Sequence, residues 1–167
     1  MSRITEDCKF MTENEYFRYR AGGFLIHDGK MLFVKSDFGG GYYYVIGGAV
    51  RLNETSQACI EREIFEETGI EAKAERLAVV CENFFLGDGG CFDGKDCHVL
   101  EFYYILKADD IKNFKEETDE GEKLCWIPLE EVGKSIIKPS FVPERIDEIL
   151  NADSILHVVE DREKRKA

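Results

Sequence analysis

The chain lacks several features that would each have fixed its class. No stretch of its 167 residues approaches the ~18 consecutive apolar residues of a membrane-spanning helix. Its opening stretch, MSRITEDCKF, has no apolar core of the kind that marks a signal peptide, so the expectation is a cytoplasmic protein with no membrane partner. Six cysteines stand at 8, 59, 81, 91, 97 and 125, but no two form a CxxC pair, and a chain of this length needs no disulfide framework. Only Cys91 and Cys97, followed by His98, have a spacing that suggests zinc, and free thiols are the plainer reading. Cys59, Cys81 and Cys125 lie in apolar surroundings and read as small core residues. Basic residues are also in deficit: 22 Lys and Arg face 34 Asp and Glu, for a formal charge of −12. That balance disfavours a nucleic-acid polymer as partner. It leaves room for a small phosphorylated ligand, because clustered carboxylates can hold the cations that neutralise it. No internal repeat or low-complexity segment is present.

What is present fits one globular domain, with a hydrophobic fraction of 44% and a charged fraction of 34%. Residues 1–19 are expected to form an N-terminal extension or edge element, 20–159 the domain, and 160–167 a solvated tail. AGGFLIHDGKMLFVKSD from Ala21 reads as a β-hairpin about Asp28-Gly29. GGGYYYVIGGAV reads as a glycine cluster, an aromatic strand and a second glycine turn. Residues 54–68 read as a helix closed by Gly69, with Ala58, Ile60, Ile64 and Phe65 as its core side. Two long strands, LAVVCENFFL and HVLEFYYILKA, flank the irregular segment GDGGCFDGKD. KLCWIPL is a further strand, LEEVG a short helix, FVPERIDEILN an amphipathic helix and ILHVVE a last strand. Many strands interrupted by an early and a late helix predict a mixed sheet with helices on its faces.

The chemistry concentrates in GAVRLNETSQACIEREIFEETGI, residues 48–70. Glu63, Glu66 and Glu67 stand at i, i+3 and i+4, so their carboxylates project from one side of the helix. Like charges so placed repel by a few tenths of a kcal/mol per pair. Divalent cations offset that cost, since hard ions such as Mg²⁺ take carboxylate oxygens and keep waters that a diphosphate can replace. Taken alone, the cluster also fits a solvated helix face in an acidic protein. Arg62 beside it suits either a bidentate brace or simple relief of repulsion.

The stretch resembles the Nudix box: Gly, five residues, Glu, seven residues, Arg-Glu, an aliphatic residue, any residue, Glu-Glu, any residue, Gly and an aliphatic residue. Gly48, Glu54, Arg62, Glu63, Ile64, Glu66, Glu67, Gly69 and Ile70 fill all nine fixed positions without a gap. The AGGFLI strand, the hairpin, the Tyr-rich strand into Gly47-Gly48 and the later WIPLEEV segment follow in the family's order over residues 20–159. The resemblance implies the Nudix fold, an α/β/α sandwich with a mixed β-sheet. It implies a Mg²⁺-dependent hydrolase, with Mn²⁺ as a substitute ion, cleaving the diphosphate linkage of a nucleoside diphosphate derivative: an ADP-ribose-like dinucleotide, a nucleotide sugar or a nucleoside triphosphate. Glu63, Glu66 and Glu67 would be metal ligands, helped by the Gly47 carbonyl, and a salt bridge between Arg62 and Glu54 would brace them. A homodimer is common in the family. The family also contains ligand sensors, so a catalytically weak nucleotide-binding module is the alternative. Many members carry proline before the paired glycines; Ile46 stands there in this chain and leaves the expected turn less preorganised.

The base that deprotonates water is open between Glu66 and Glu67, Glu101 on the HVLEFYY strand, and Glu116, Glu117, Asp119 or Glu120 in the loop FKEETDEGE. Glu101 stands out because a carboxylate in an apolar strand needs water, a cation or a donor. A planar substrate group has Phe24, Tyr42, Tyr44, Phe84, Phe102 and Tyr104 as stacking candidates, though core is the plainer reading of each. The GDGGCFDGKD loop is expected to border the pocket and set substrate choice.

Overall fold

The computed structural model describes residues 6–37 and 40–161, so the end of the expected solvated tail lies outside the described residues. The strands are β1 (Lys9–Met11), β2 (Glu15–His27), β3 (Lys30–Ser36), β4 (Tyr42–Tyr44), β5 (Ile46–Ala49), β6 (Lys73–Leu86), β7 (Asp96–Lys107), β8 (Lys123–Pro128), β9 (Ile137–Lys138) and β10 (Leu156–Asp161). The helices are α1 (Ser56–Thr68), α2 (Leu129–Val132), α3 (Phe141–Glu144) and α4 (Ile146–Asn151). The expected boundary at residue 20 falls inside β2, and β10 runs past the expected one at 159.

The strands join one mixed sheet in the order β10-β6-β7-β2-β3-β4-β9, with β1 and β5 also on β2 and β8 on β3. β2 is parallel to β7, and β10 to β6; β6 and β7 are antiparallel. The β2–β3 hairpin turns on Asp28 and Gly29, both at positive φ (47° and 71°), the geometry that matches the twist of the flanking strands. Along β2, side chains alternate between two cores. Phe24 joins Met31, Tyr103, Phe141 and Ile149 under α2–α4, whereas Leu25 joins Leu32, Ile60, Ile64 and Leu106 under α1. Helices cover both faces, which is why the central strands read as nearly continuous apolar runs.

Three local expectations change. Ala58 and Phe65 of α1 are exposed, Phe65 by 51%; Ser56, Cys59, Ile60, Ile64 and Thr68 form the buried stripe instead. The stripe is rotated so that Cys59 takes the core position, and this brings Glu63 and Glu67 to its edge. Gly47 and Gly48 are not a turn but the centre of β5, paired with Gly22 and Ala21, and Ile46 is fully buried opposite Gly23. The late helix is broken into α3 and α4 at Arg145 (φ −124°), whose guanidinium turns to Glu148. Among the described residues no helix is long and apolar enough to cross a membrane.

Candidate active site

The site grows from the passage between β5 and α1. Thr55 caps α1 by accepting from the Ala58 amide at 3.1 Å, and Gly69 closes it in the left-handed region (φ 74°), donating to the Phe65 carbonyl. The glycine pair in β5 makes the strand thin. A Cβ on Gly48 would overlap the Glu63 carboxylate, and one on Gly47 would sit 2.8 Å from the Arg20 guanidinium. The two glycines thereby let a carboxylate from α1 and a cation from β2 close on the same piece of backbone. Arg20 is further fixed by donating to the Val45 carbonyl at 3.0 Å and the Tyr103 hydroxyl at 3.3 Å, with Glu101 3.5 Å away. Burial alone would lower its pKa; Tyr103 and Glu101, then Glu67 and Glu63, outweigh burial and hold it above its ordinary value.

Arg62 gathers the helix carboxylates. Its Nε and Nη2 donate to the two oxygens of Glu54 at 2.8 and 3.0 Å, while Nη1 donates to Glu63 at 2.6 Å and Glu66 at 3.2 Å. The fork-to-fork pairing with Glu54 is the geometry a guanidinium makes best. Glu54 also accepts from the Arg51 amide at 2.9 Å, which ties the loop to the helix. Burial works against the Glu54 carboxylate, but the bonds from Arg62 and from Arg51 overcome it and hold its pKa below the ordinary value.

Glu67 has no such partner. It shares with Glu66 a cleft of about 220 Å³ whose other wall is Thr118, Asp119, Glu120 and Glu122. Desolvation, then the charge of Glu63, push its carboxyl up to about 7; Arg20 opposes the shift, and Glu122 and Glu120 add to it. Tyr44 donates to Glu122 at 2.5 Å, and Lys115 holds the opposite wall to the end of α1 through the Glu66 carbonyl (3.2 Å) and Asp119 (3.1 Å).

The structure thus brings Glu54, Arg62, Glu63 and Glu66 together around one guanidinium, with Glu67 beside them and Gly47 on the adjoining strand. Asp119 and Glu120 reach the Glu67 cleft; Glu116 and Glu117 are exposed and do not line it. Glu101 lines a neighbouring cleft with Arg20, Tyr44, Asn83, Tyr103 and Lys138, not the one that holds Glu66 and Glu67. Of the aromatic candidates, Phe24 is core and Tyr44 lines that second cleft. No residue of the GDGGCFDGKD loop lines either cleft, because the segment closes the β6–β7 hairpin and Lys95 fastens it to the Thr12 and Glu13 carbonyls. Among the described residues no three His, Cys, Asp or Glu side chains are grouped so as to hold a metal ion as they stand. Arg62 engages the Glu63 and Glu66 oxygens in this arrangement. Sequence reasoning missed Arg20, Tyr103, Asn83 and Glu122. A charged residue on a strand otherwise bound for the core, as Arg20 is in EYFRYRAGG, was the one available signal.

Fold and site together define a class: an α/β/α sandwich in which a loop and a capped helix carry an Arg-Glu and a Glu-Glu pair to the edge of a mixed sheet. The family model of the NUDIX domain matches residues 17–149, and the chain belongs to that family. The Nudix hydrolase superfamily acts on diphosphate-containing substrates. Solved structures share the fold. The mutator MutT protein of Bacillus halodurans is similar at TM-score 0.63 and 19% identity, over 84% of this chain and 86% of that one. A NUDIX hydrolase of Nitrosomonas europaea is similar at TM-score 0.61 and 15% identity, over 96% and 97%. An ADP-ribose pyrophosphatase of Streptococcus suis is similar at TM-score 0.59 and 12% identity, over 86% and 98%. At these identities the likeness is one of fold.

Proposed function

We propose that this protein is a divalent-metal-dependent hydrolase that cleaves the diphosphate linkage of a nucleoside diphosphate joined to another moiety. The observation that carries the reading is Glu67, half-buried against the like charges of Glu63, Glu120 and Glu122, with its carboxyl pushed up to about 7. A divalent cation is the partner whose chemistry suits such a set of oxygen donors. Glu63, Glu66 and Glu67 would hold Mg²⁺, with the Gly47 carbonyl adjoining and Mn²⁺ as a substitute. When bound, the ion lowers the pKa of water and screens the charge that gathers on the phosphoryl oxygens.

The chain's own residues supply position and proton transfer. Arg62 orients Glu63 and Glu66 and is itself fixed by Glu54, so one guanidinium holds both carboxylates on the same side of the helix. Arg20, charged and buried behind Gly47, sets a positive field under the phosphates. Glu67, Asp119 and Glu120, on the walls of one cleft, are the groups that take the proton from the attacking water. The test is a panel of ADP-ribose, diadenosine polyphosphates, nucleotide sugars and nucleoside triphosphates with Mg²⁺ and with Mn²⁺, and products identified by mass. Metal-dependent cleavage that disappears in Glu66→Gln/Glu67→Gln supports the proposal. A folded protein that binds members of the panel and cleaves none is a ligand-binding module instead.

A further inference from the structure

The cleft beside the carboxylate cluster holds two polar side chains that the protein leaves unfinished. Glu101 is 6% exposed and Asn83 8%, yet among the described residues neither Glu101 Oε2 nor Asn83 Oδ1 has a hydrogen-bond partner. Buried acceptors without donors are costly and few in native proteins, so each calls for an explanation such as a water, an ion or a functional role. The other Glu101 oxygen faces Arg20 at 3.5 Å, and the Tyr103 hydroxyl and Cys81 thiol adjoin the carboxylate, so the group is fixed in place while Oε2 lacks a hydrogen bond of good geometry.

Strand register explains why the two face the same space. On the β6–β7 ladder Cys81 pairs with Glu101 and Asn83 with Val99, so Asn83 and Glu101 are diagonal neighbours on one face of the sheet. Both line an open cleft of about 180 Å³ together with Arg20, Tyr44, Tyr103 and Lys138. Asn83 and Lys138 continue into an adjoining cleft of about 210 Å³ that ends at Glu160. Tyr44 joins this space to the catalytic cleft, since its ring lines the one and its hydroxyl donates to Glu122 on the wall of the other.

The donor pattern narrows the occupant. Two acceptors from neighbouring side chains match a ligand edge with two adjacent N–H donors. The Lys138 ammonium, held 4.1 Å over the Tyr42 ring, adds a donor to the same wall. Acceptor, acceptor and donor together complement the Watson–Crick edge of guanine, which offers its 2-amino group, N1–H and the O6 carbonyl in a row. Adenine and cytosine set an amino group beside an acceptor, and uracil flanks its single N–H with two carbonyls, so none of them offers N–H donors from two adjacent ring positions as guanine does.

We propose that Glu101 and Asn83 form a base-selecting subsite that takes a guanine-type edge, making guanosine diphosphate derivatives the preferred substrates. The inference rests on the hydrolase reading for the placement of the diphosphate, but the subsite is testable without turnover. Guanosine, inosine, adenosine and uridine are titrated into the full chain in EDTA and followed by ligand-observed NMR. Guanosine is expected to bind at least about tenfold more tightly than the other three, the factor lost when a hydrogen bond to a charged group goes unmade. Inosine isolates the 2-amino group. Glu101→Gln, which keeps shape, and Asn83→Ser, which shortens the side chain, are expected to erase the preference in protein whose melting transition is retained. Equal affinity for guanosine and inosine overturns the proposal, as does a guanosine preference that survives in both folded variants. A sugar could also satisfy the two oxygens through its hydroxyls. If UDP-glucose affinity drops in both variants while the base preference is flat, the subsite belongs to the sugar and the proposal fails. Guanosine selectivity without any Mg²⁺-dependent cleavage keeps the subsite and removes the hydrolase reading; base-indifferent cleavage does the reverse.

Discussion

Glu67→Gln removes a charge that its surroundings disfavour while keeping the side chain's shape. The Glu67 carboxyl lies at about 7 in the folded protein against an ordinary 4.5, because burial and then Glu63 penalise the ionised form. A folded-state pKa above the unfolded one means that folding takes up a proton at intermediate pH. The group's contribution to stability is therefore fully present below 4.5 and is lost as pH rises through about 7. The interval corresponds to about 3 kcal/mol at full weight, and water in the cleft reduces it to about 1–2 kcal/mol. In metal-free protein the neutral amide escapes that loss, so at about pH 8 the Glu67→Gln variant is expected to melt about 2–6 °C above the parent. The gap should close as pH falls below 4.5, where Glu67 becomes protonated in both states. Differential scanning calorimetry in EDTA across this range is the assay. Saturating Mg²⁺ should reverse the order, since an ion that binds only the folded carboxylate set stabilises the parent by mass action. A gap that is independent of pH, or a variant that melts below the parent at alkaline pH in EDTA, would refute the reasoning about the cleft's charge.

Three further outcomes follow from the same geometry. Arg62→Lys keeps the charge but loses the fork that holds Glu54 at 2.8 and 3.0 Å; kcat for diphosphate cleavage should fall about tenfold or more, with stability lowered by about 1–2 kcal/mol in urea titration. In Gly48→Ala the added Cβ meets the Glu63 carboxylate, so Mg²⁺ affinity measured by calorimetry should drop about tenfold or more as Glu63 is displaced. Thiol labelling of native protein should separate the cysteines: exposed Cys91 reacts first, whereas Cys59, buried and pushed up to about 12, stays unmodified until denaturant is added.

The parts of the fold visible in the sequence are those fixed by local chemistry. Asp28-Gly29 specifies a hairpin turn because both positions need positive φ, and Thr55 and Gly69 bracket α1 because they satisfy its ends. The helix face was harder. Periodicity offered Ala58 and Phe65 as core, but Cys59 packs there, since which of two adjacent stripes is buried depends on the strand across from it. Gly47-Gly48 looks like a turn by composition and is a strand by pairing: glycine marks a close approach as readily as a bend, and the approaching group, Glu63, lies fifteen residues on from Gly48. Glu63, Glu66 and Glu67 were legible because a helix puts fixed spacings on one side, and Glu54 and Arg62 because the resemblance to the Nudix box covers the loop as well as the helix. Arg20, Asn83 and Glu122 were not, because only sheet register and loop closure bring them near.

That division bears on how one scaffold serves different substrates. The carboxylate set lies on one helix and its capping loop, so its internal geometry is a property of the residues from Gly48 to Ile70 and survives changes elsewhere in the sheet. The neighbouring cleft is assembled from β2, β4, β6, β7, β9 and the proline after β9, and its side chains answer to long-range register. A substitution at Asn83 or Glu101 can alter what the cleft accepts without moving Arg62 or its glutamates. Arg20 is the exception, since its guanidinium lines this cleft facing Glu101 and also feels the charges of Glu67 and Glu63. A change at Arg20 should therefore disturb base recognition and phosphate chemistry together, whereas changes at Glu101 or Asn83 should separate them.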